Sequence, residues 1–187
     1  MTLPHQIATD GVALRRFQAA DAPEIWRAIE ESRALLAPWL PDIAGTPSAD
    51  AVAAWIAWGA RAWDEGQAYH WAILSPGDEP VLGGCGLTQL SATHRFANLY
   101  YWVRTSAQGR GLASAATREL ARFGLGELGL QRVEVVVARE NIASLRVAEK
   151  AGARFEGWLR NRIFLRGQAH TAAMFSLVAD DFVNPAG

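Results

Sequence analysis

The stretch richest in chemistry is Val103-Arg104-Thr105-Ser106-Ala107-Gln108-Gly109-Arg110-Gly111-Leu112-Ala113. Apolar β-forming residues run into a turn with two glycines, and helical spacing begins directly behind it. The first amides of a helix have no partner within the helix, and its dipole adds positive potential there, so such a junction is an anion site. Gly109 and Gly111 let the backbone approach a pyrophosphate where a β-carbon would intrude. The expected chemistry is phosphate binding by main-chain N–H groups at the opening of that helix. Other phosphate patterns fit less well. No Gly-Lys-Ser/Thr ending of a Walker loop occurs. Gly124-Leu125-Gly126-Glu127-Leu128-Gly129 matches GxGxxG in letters but follows a helix rather than a strand. It reads as a fraying helix end capped by Gly129.

Further candidates are scattered. Asn141 opens a short helical segment and suits an N-cap, and Ser144 falls in the first turn behind it, where a serine can bond backbone or ligand. His70 sits in a strand; an intrinsic pKa near ~6.5 suits a base at neutral pH, although a strand histidine is commonly a bonded core or rim residue. His94 falls in a loop. Glu134 alternates with Val133 and Val135, which fits strand pairing as well as catalysis. Cys85, in a glycine-rich strand without a His or Asn context, reads as a small buried residue. Trp55, Trp58 and Trp63 share one helix and suit packing.

The elements that must hold these residues read as β-α-α-β-β-β-α-β-α-β-β. A short strand covers Val12 to Phe17. Asp21-Ala22-Pro23-Glu24 opens a helix to about Arg33. In Ala37-Pro38-Trp39-Leu40-Pro41 the two prolines forbid regular helix. Ser48 caps a second helix carrying Val52, Trp55, Ile56 and Trp63. Three strands follow: Ala68 to Leu74, ending at the turn signal Ser75-Pro76-Gly77-Asp78; Val81 to Leu90, where Gly83, Gly84 and Gly86 suggest a bulge or a close backbone neighbour; and Phe96 to Val103, rich in β-formers. Leu112 to Phe123 has helical spacing, Arg132 to Ala138 reads as a strand, and Asn141 to Lys150 is a helix ended by Gly152. Phe155 to Leu165 and Thr171 to Val178 form two last strands around Arg166-Gly167-Gln168.

Gln108-x-x-Gly111-x-Ala113 resembles the Arg/Gln-x-x-Gly-x-Gly/Ala signature of the GNAT superfamily of N-acyltransferases, in the place where that family carries it. Asn141-Ile142-Ala143-Ser144 and the run from Ala148 to Gly157 are similar to the N-x-x-S…EK-x-G-x-x-x-EG block of its ribosomal-protein N-terminal acetyltransferase branch (RimJ/RimL type). Leu36-Ala37-Pro38-Trp39-Leu40-Pro41 resembles that branch's loop between the first two helices. The likeness covers about residues 10 to 180. It implies an α/β (α+β) GNAT fold: a mixed, mostly antiparallel sheet of about seven strands flanked by four helices. The implied activity is transfer of an acetyl group from acetyl-CoA, as co-substrate, to a primary amine by direct attack in a ternary complex. The acceptor would be a protein N-terminus or a small molecule such as an antibiotic, a polyamine or an amino acid.

The resemblance also implies roles. Tyr101-Trp102-Val103 would lie on the family's fourth strand, which splays from the fifth and frees backbone groups for the pantetheine arm, with a backbone N–H around Val103 polarising the thioester carbonyl. Gln108 to Ala113 would hold the pyrophosphate, and Asn141 would bond the pantetheine or fix the strand opening. Ser144 is the implied binder or proton donor of the thiolate, and Trp39 a candidate wall of the acceptor site. Three departures bear on this. Ala148 stands where many relatives carry an acidic tyrosine, Ile163 where the branch can carry a glutamate base, and Thr171 where relatives often have Asp. They leave open a second reading, a non-catalytic acyl-CoA-binding sensor or a catalytically degenerate subunit.

The totals are consistent with this. The chain has 187 residues, the size expected of one domain, with no internal repeat or linker. A formal net charge of −1 gives no electrostatic reason to expect nucleic acid. Of the basic residues only Lys150 is a lysine. One cysteine and four dispersed histidines offer no disulfide and no metal-ligand spacing, so no metal is expected. No segment is apolar enough to span a membrane, and the start, Met1-Thr2-Leu3-Pro4-His5, lacks a basic segment followed by an apolar one. The expectation is a cytoplasmic protein without membrane or nucleic-acid partners. A homodimer is compatible with a sheet whose ends are exposed.

Overall fold

Strand and helix segments alternate largely as their periodicities predict. The computed structural model describes residues 3–9, 11–75 and 80–183. In chain order they form β1 (Gln6–Ala8), β2 (Ala13–Arg16), α1 (Ala22–Leu36), α2 (Pro41–Ala44), α3 (Ala49–Asp64), β3 (Tyr69–Leu74), β4 (Val81–Ser91) and β5 (Phe96–Val103). Then follow α4 (Leu112–Gly126), β6 (Arg132–Ala138), α5 (Ile142–Lys150), β7 (Arg154–Leu165), β8 (Gln168–Leu177) and α6 (Asp180–Val183). One sheet carries the order β1-β2-β3-β4-β5-β6-β8-β7. Every neighbouring pair is antiparallel except β5 and β6.

The expected architecture therefore stands, with corrections. The sheet has eight strands rather than about seven, because β1, three residues long, is too short to display an alternation. The four expected helices are joined by the single-turn α2 and α6. Pro41 takes the first position of α2, where a missing N–H costs nothing, so that proline starts a helix. Helix α1 runs past Arg33 to Leu36 and stops just before Pro38. Helix α4 continues past Phe123 to Gly126 instead of fraying, because Gly124 lets it pack closely on Leu87, Leu130 and Val133. Strand β8 begins at Gln168, ahead of Thr171. In the signal Ser75-Pro76-Gly77-Asp78, residues 76–78 lie outside the described residues.

The sheet separates two cores. On one face α1 and α3 bury Ala28, Ile29, Val52 and Ile56 against Ala72, Leu74 and Trp102. On the other, α4 buries Leu120 and Phe123 among Trp71, Ile73, Val133 and Val135, with Ala148 of α5 in the same cluster. The Trp63 ring joins this second core, edge-on to Trp71 and Tyr69. The glycines of β4 are explained by their neighbours. A β-carbon at Gly83 would run into the carbonyl oxygen of Trp102, one at Gly86 would come 2.6 Å from the Tyr100 ring, and one at Gly84 2.9 Å from the Trp102 indole nitrogen. Strand β4 is thus bare where β5 lays its aromatic side chains across it, which keeps the two strands paired through to Val103.

Candidate active site

Strand β5 leaves β6 partway along its length. The two pair in parallel only from Phe96 to Asn98, opposite Arg132 to Glu134, while β6 continues on β8 as far as Ala138 and β5 continues on β4 as far as Val103. The Arg104 N–H donates to the Leu82 carbonyl at 2.8 Å. Hydrogen-bonded pairs alternate along an antiparallel ladder. Trp102 and Tyr100 therefore turn their main-chain groups to β4, whereas Leu99, Tyr101 and Val103 turn theirs toward the gap where β6 has departed. A row of main-chain donors and acceptors is left facing a wedge in the middle of the sheet.

The turn after β5 aims a helix end at that wedge. A 3-10 turn over Thr105–Ala107 leads to Gln108, and Gly111 is the N-cap of α4. Gly109 and Gly111 have φ of +76° and +79°, a conformation that favours glycine. A β-carbon at either would meet nothing within 4 Å. Glycine here answers to the backbone conformation, and the space beside it is open to a ligand. No side chain caps the N-terminus of α4, and its first amides lack partners in the helix. The turn is held from behind by α1. Ser32 Oγ accepts the Thr105 N–H at 3.0 Å, and Glu31 accepts the Ser106 N–H at 2.6 Å. Glu31 also accepts from Arg104 at 2.9 and 2.6 Å. These hydrogen bonds, Arg104 first and then Ser106, lower the Glu31 pKa to about 2.

Across the wedge stands the N-terminus of α5. The Asn141 side chain caps it by accepting the Ser144 N–H at 3.1 Å. The N-cap reading of Asn141 is therefore met, and the same bond fixes Ser144 in the first turn. The Tyr101 hydroxyl reaches from β5 to α5. It lies 2.6 Å from Ser144 Oγ and 3.0 Å from the Ser144 carbonyl, to which it can donate. Burial, only partly offset by the bond to Ser144, raises the Tyr101 pKa to about 12.

These parts enclose one cavity of about 570 Å³. All the residues singled out as cofactor-binding line it: Trp102, Val103, Gln108, Gly109, Arg110, Gly111, Leu112, Ala113 and Asn141, together with Ser144. On the α1 side the walls are Leu35, Leu36, Trp39 and Leu40, and from the β7–β8 hairpin Ile163 and Leu165. Trp39 is thus beside the cavity. Among the described lining residues the ionisable side chains are Tyr100, Tyr101, Arg110, Arg146 and Lys150, with no carboxylate or imidazole.

The remaining candidates lie elsewhere. His70, on β3, is 7% exposed, packs against Trp55 and Trp58 and sits 2.8 Å from the Tyr100 hydroxyl. Burial lowers its pKa to about 4. His94 is in an exposed turn. Glu134 pairs with Arg132 at 2.8 Å, and Arg132 bridges on to Glu156. Cys85 is fully buried, which pushes its thiol pKa up. Reasoning from the sequence missed Tyr101 as a side chain, and Glu31 and Ser32 altogether. The last two carry no motif and meet the turn only through the fold. The signal for Tyr101 was present, two residues before Val103 on the same face of the strand.

Among the described residues no helix is long and apolar enough to cross a membrane, and no group of three or more His, Cys, Asp or Glu side chains could hold a metal ion. The acetyltransferase (GNAT) domain model matches residues 12–154. The uncharacterized N-acetyltransferase p20 of Bacillus licheniformis is 30% identical over 63% of this chain and 66% of its own length. The spermidine N(1)-acetyltransferase of Escherichia coli is 29% identical over 46% of each chain. The chain thus spans between about half and two thirds of these curated relatives. The structure of RimL, a ribosomal L7/L12 alpha-N-protein acetyltransferase in complex with coenzyme A, superposes with a TM-score of 0.84, covering 94% of this chain and 98% of that one at 19% identity.

Proposed function

The chain belongs to the acetyltransferase (GNAT) family, and on that footing we propose that it is an acyl-CoA-dependent N-acetyltransferase. It transfers the acetyl group of acetyl-CoA, in the cytoplasm, to a primary amine that attacks directly in a ternary complex. The observation that carries this reading is the coincidence, in one cavity, of the β5–β6 wedge with the uncapped N-terminus of α4. The residues fit the co-substrate. Main-chain N–H groups from Gln108 to Ala113 suit a pyrophosphate, the row from Leu99 to Val103 suits the amides of a pantetheine arm, and the Val103 N–H would polarise a thioester carbonyl. Asn141 would bond the pantetheine from the far side. Main-chain donors work through geometry and need no particular side chain.

The acceptor enters this reading through proton chemistry. The described lining offers no carboxylate or histidine to deprotonate an amine. An acceptor must then arrive neutral. An α-amine with a pKa near ~8 is roughly a tenth neutral at pH 7, whereas a lysine-type amine near ~10.4 is neutral in less than about one molecule per thousand. A peptide α-amine is therefore the favoured acceptor. The test is release of CoA thiol from acetyl-CoA with a panel of N-terminal peptides, polyamines and small amines. Acceptor-dependent release is expected, strongest with α-amines, with kcat/KM levelling above about pH 8 as the amine completes its titration. Tight acetyl-CoA binding without release would support the sensor reading instead, and no binding would refute both.

A further inference from the structure

Resting on the transferase reading above, we propose that Tyr101 is the positioning residue for the leaving group, holding Ser144 so that the serine hydroxyl hydrogen turns to the departing CoA sulfur. The observation is the hydroxyl pair itself. Tyr101 and Ser144 come from opposite sides of the wedge, both line the cavity, and their oxygens are 2.6 Å apart. A tyrosine that only pinned α5 to β5 would need no more than the carbonyl bond at 3.0 Å. Here the shorter contact is to the side chain.

The pair has two hydrogens and two arrangements. In one, Tyr101 donates to the Ser144 carbonyl and Ser144 donates to Tyr101. In the other, Tyr101 donates to Ser144 Oγ, and the serine hydrogen is free to point into the cavity. Negative charge arriving on a sulfur selects the second, and each bond in such a chain strengthens the next. Only hydroxyl torsions change; no heavy atom moves. The N-terminal end of α5, nine residues long, adds favourable potential for an anion. Ala148, where a helix-borne tyrosine would stand, is fully buried and has no hydroxyl; the strand supplies one instead.

Atoms and charges balance without a further reagent. The acceptor nitrogen forms the N–C bond, the C–S bond breaks with its electron pair on sulfur, and the surplus proton on nitrogen leaves to solvent. The sulfur receives a hydrogen bond rather than a proton. With its pKa raised to about 12, Tyr101 stays protonated through the neutral range and is too weak an acid to recharge the serine.

The experiment compares wild type, Tyr101→Phe, Ser144→Ala and the double variant with two donors, acetyl-CoA and S-acetyl-4-nitrothiophenol, whose thiolate leaves unaided. With acetyl-CoA, each single variant should lose about ten-fold in kcat, the equivalent of one transition-state hydrogen bond, with the acetyl-CoA KM little changed. The double variant should be no worse than Ser144→Ala, because the two act as a unit. With the nitrothiophenyl donor the loss should all but vanish. Equal losses with both donors, multiplicative losses in the double variant, or an unaffected Tyr101→Phe would overturn the role of Tyr101 while leaving the transferase intact. A wild-type protein that binds acetyl-CoA by calorimetry yet acetylates nothing would refute the transferase reading itself, and the leaving-group role with it.

Discussion

His70 shows how burial redirects a residue that composition offers as a base. Its ring is enclosed by Trp55, Trp58 and Tyr100, and its Nε2 has no hydrogen-bond partner among the described residues. The folded protein therefore keeps it neutral, with a pKa of about 4 against an ordinary 6.5. Above pH 6.5 both folded and unfolded chains hold it neutral, and it does not affect stability. As the pH falls from 6.5 toward 4 the unfolded chain takes up a proton that the native state refuses, so stability declines; below 4 the loss stops growing. Replacing His70 by Gln should flatten denaturant-measured stability over that window by about 3 kcal/mol, while leaving the pH profile of turnover between 7 and 9 unchanged. A turnover profile that lost a limb in the variant would return His70 to the catalytic machinery. At the same scale, Ser144 and Tyr101 together offer hydroxyl chemistry where Ala148 has none.

Among elements, the β5–α4 turn is the most exacting. Gly111 needs a φ of +79° and meets no neighbour, so a β-carbon there strains the backbone without a clash. Gly111→Ala should cost about 1–2 kcal/mol at that residue. The turn can relieve this by re-orienting its amides, which are the proposed phosphate ligands. Calorimetry should then show acetyl-CoA binding weakened by about ten-fold with the melting temperature of the free protein only slightly lowered. An unchanged affinity would mean that the α4 N-terminus does not hold the pyrophosphate. The turn also illustrates why part of the site was illegible in the sequence. Its glycines announce themselves by spacing. Glu31 and Ser32 support it from α1, more than seventy positions earlier in the chain (|i−j| of 73 and 75), and nothing in a helical run distinguishes a residue that will bond to a distant amide.

For the molecule as a whole, the wedge is a gap in an otherwise continuous sheet. Strands β1 to β5 carry one set of main-chain bonds, β6 to β8 another, and only the short parallel register from Phe96 to Asn98 joins them within the sheet. A ligand that bonds both lips, through Val103 on one and α5 on the other, would complete the sheet and favour the folded state by mass action. Acetyl-CoA at a hundred times its Kd should add about 2.7 kcal/mol of stability, measurable as a rise in melting temperature that scales with the logarithm of concentration. Absence of any shift at saturating acetyl-CoA would contradict binding across the wedge.

The sequence by itself determined the order of the main elements, the place of the glycine-bearing turn before α4, the Asn141 cap and the family likeness, because each depends on residues near one another along the chain. Periodicity of two or of 3.6, a proline at a helix start and a glycine at a positive φ are local consequences of backbone sterics. Only the tertiary structure decided that β5 and β6 part after Asn98, that the Tyr101 hydroxyl meets Ser144, that α1 braces the turn, and that the described cavity lining holds no carboxylate or imidazole. Each of these depends on which distant segments become neighbours. That is settled by packing two apolar cores against one twisted sheet, and no short window of residues encodes it.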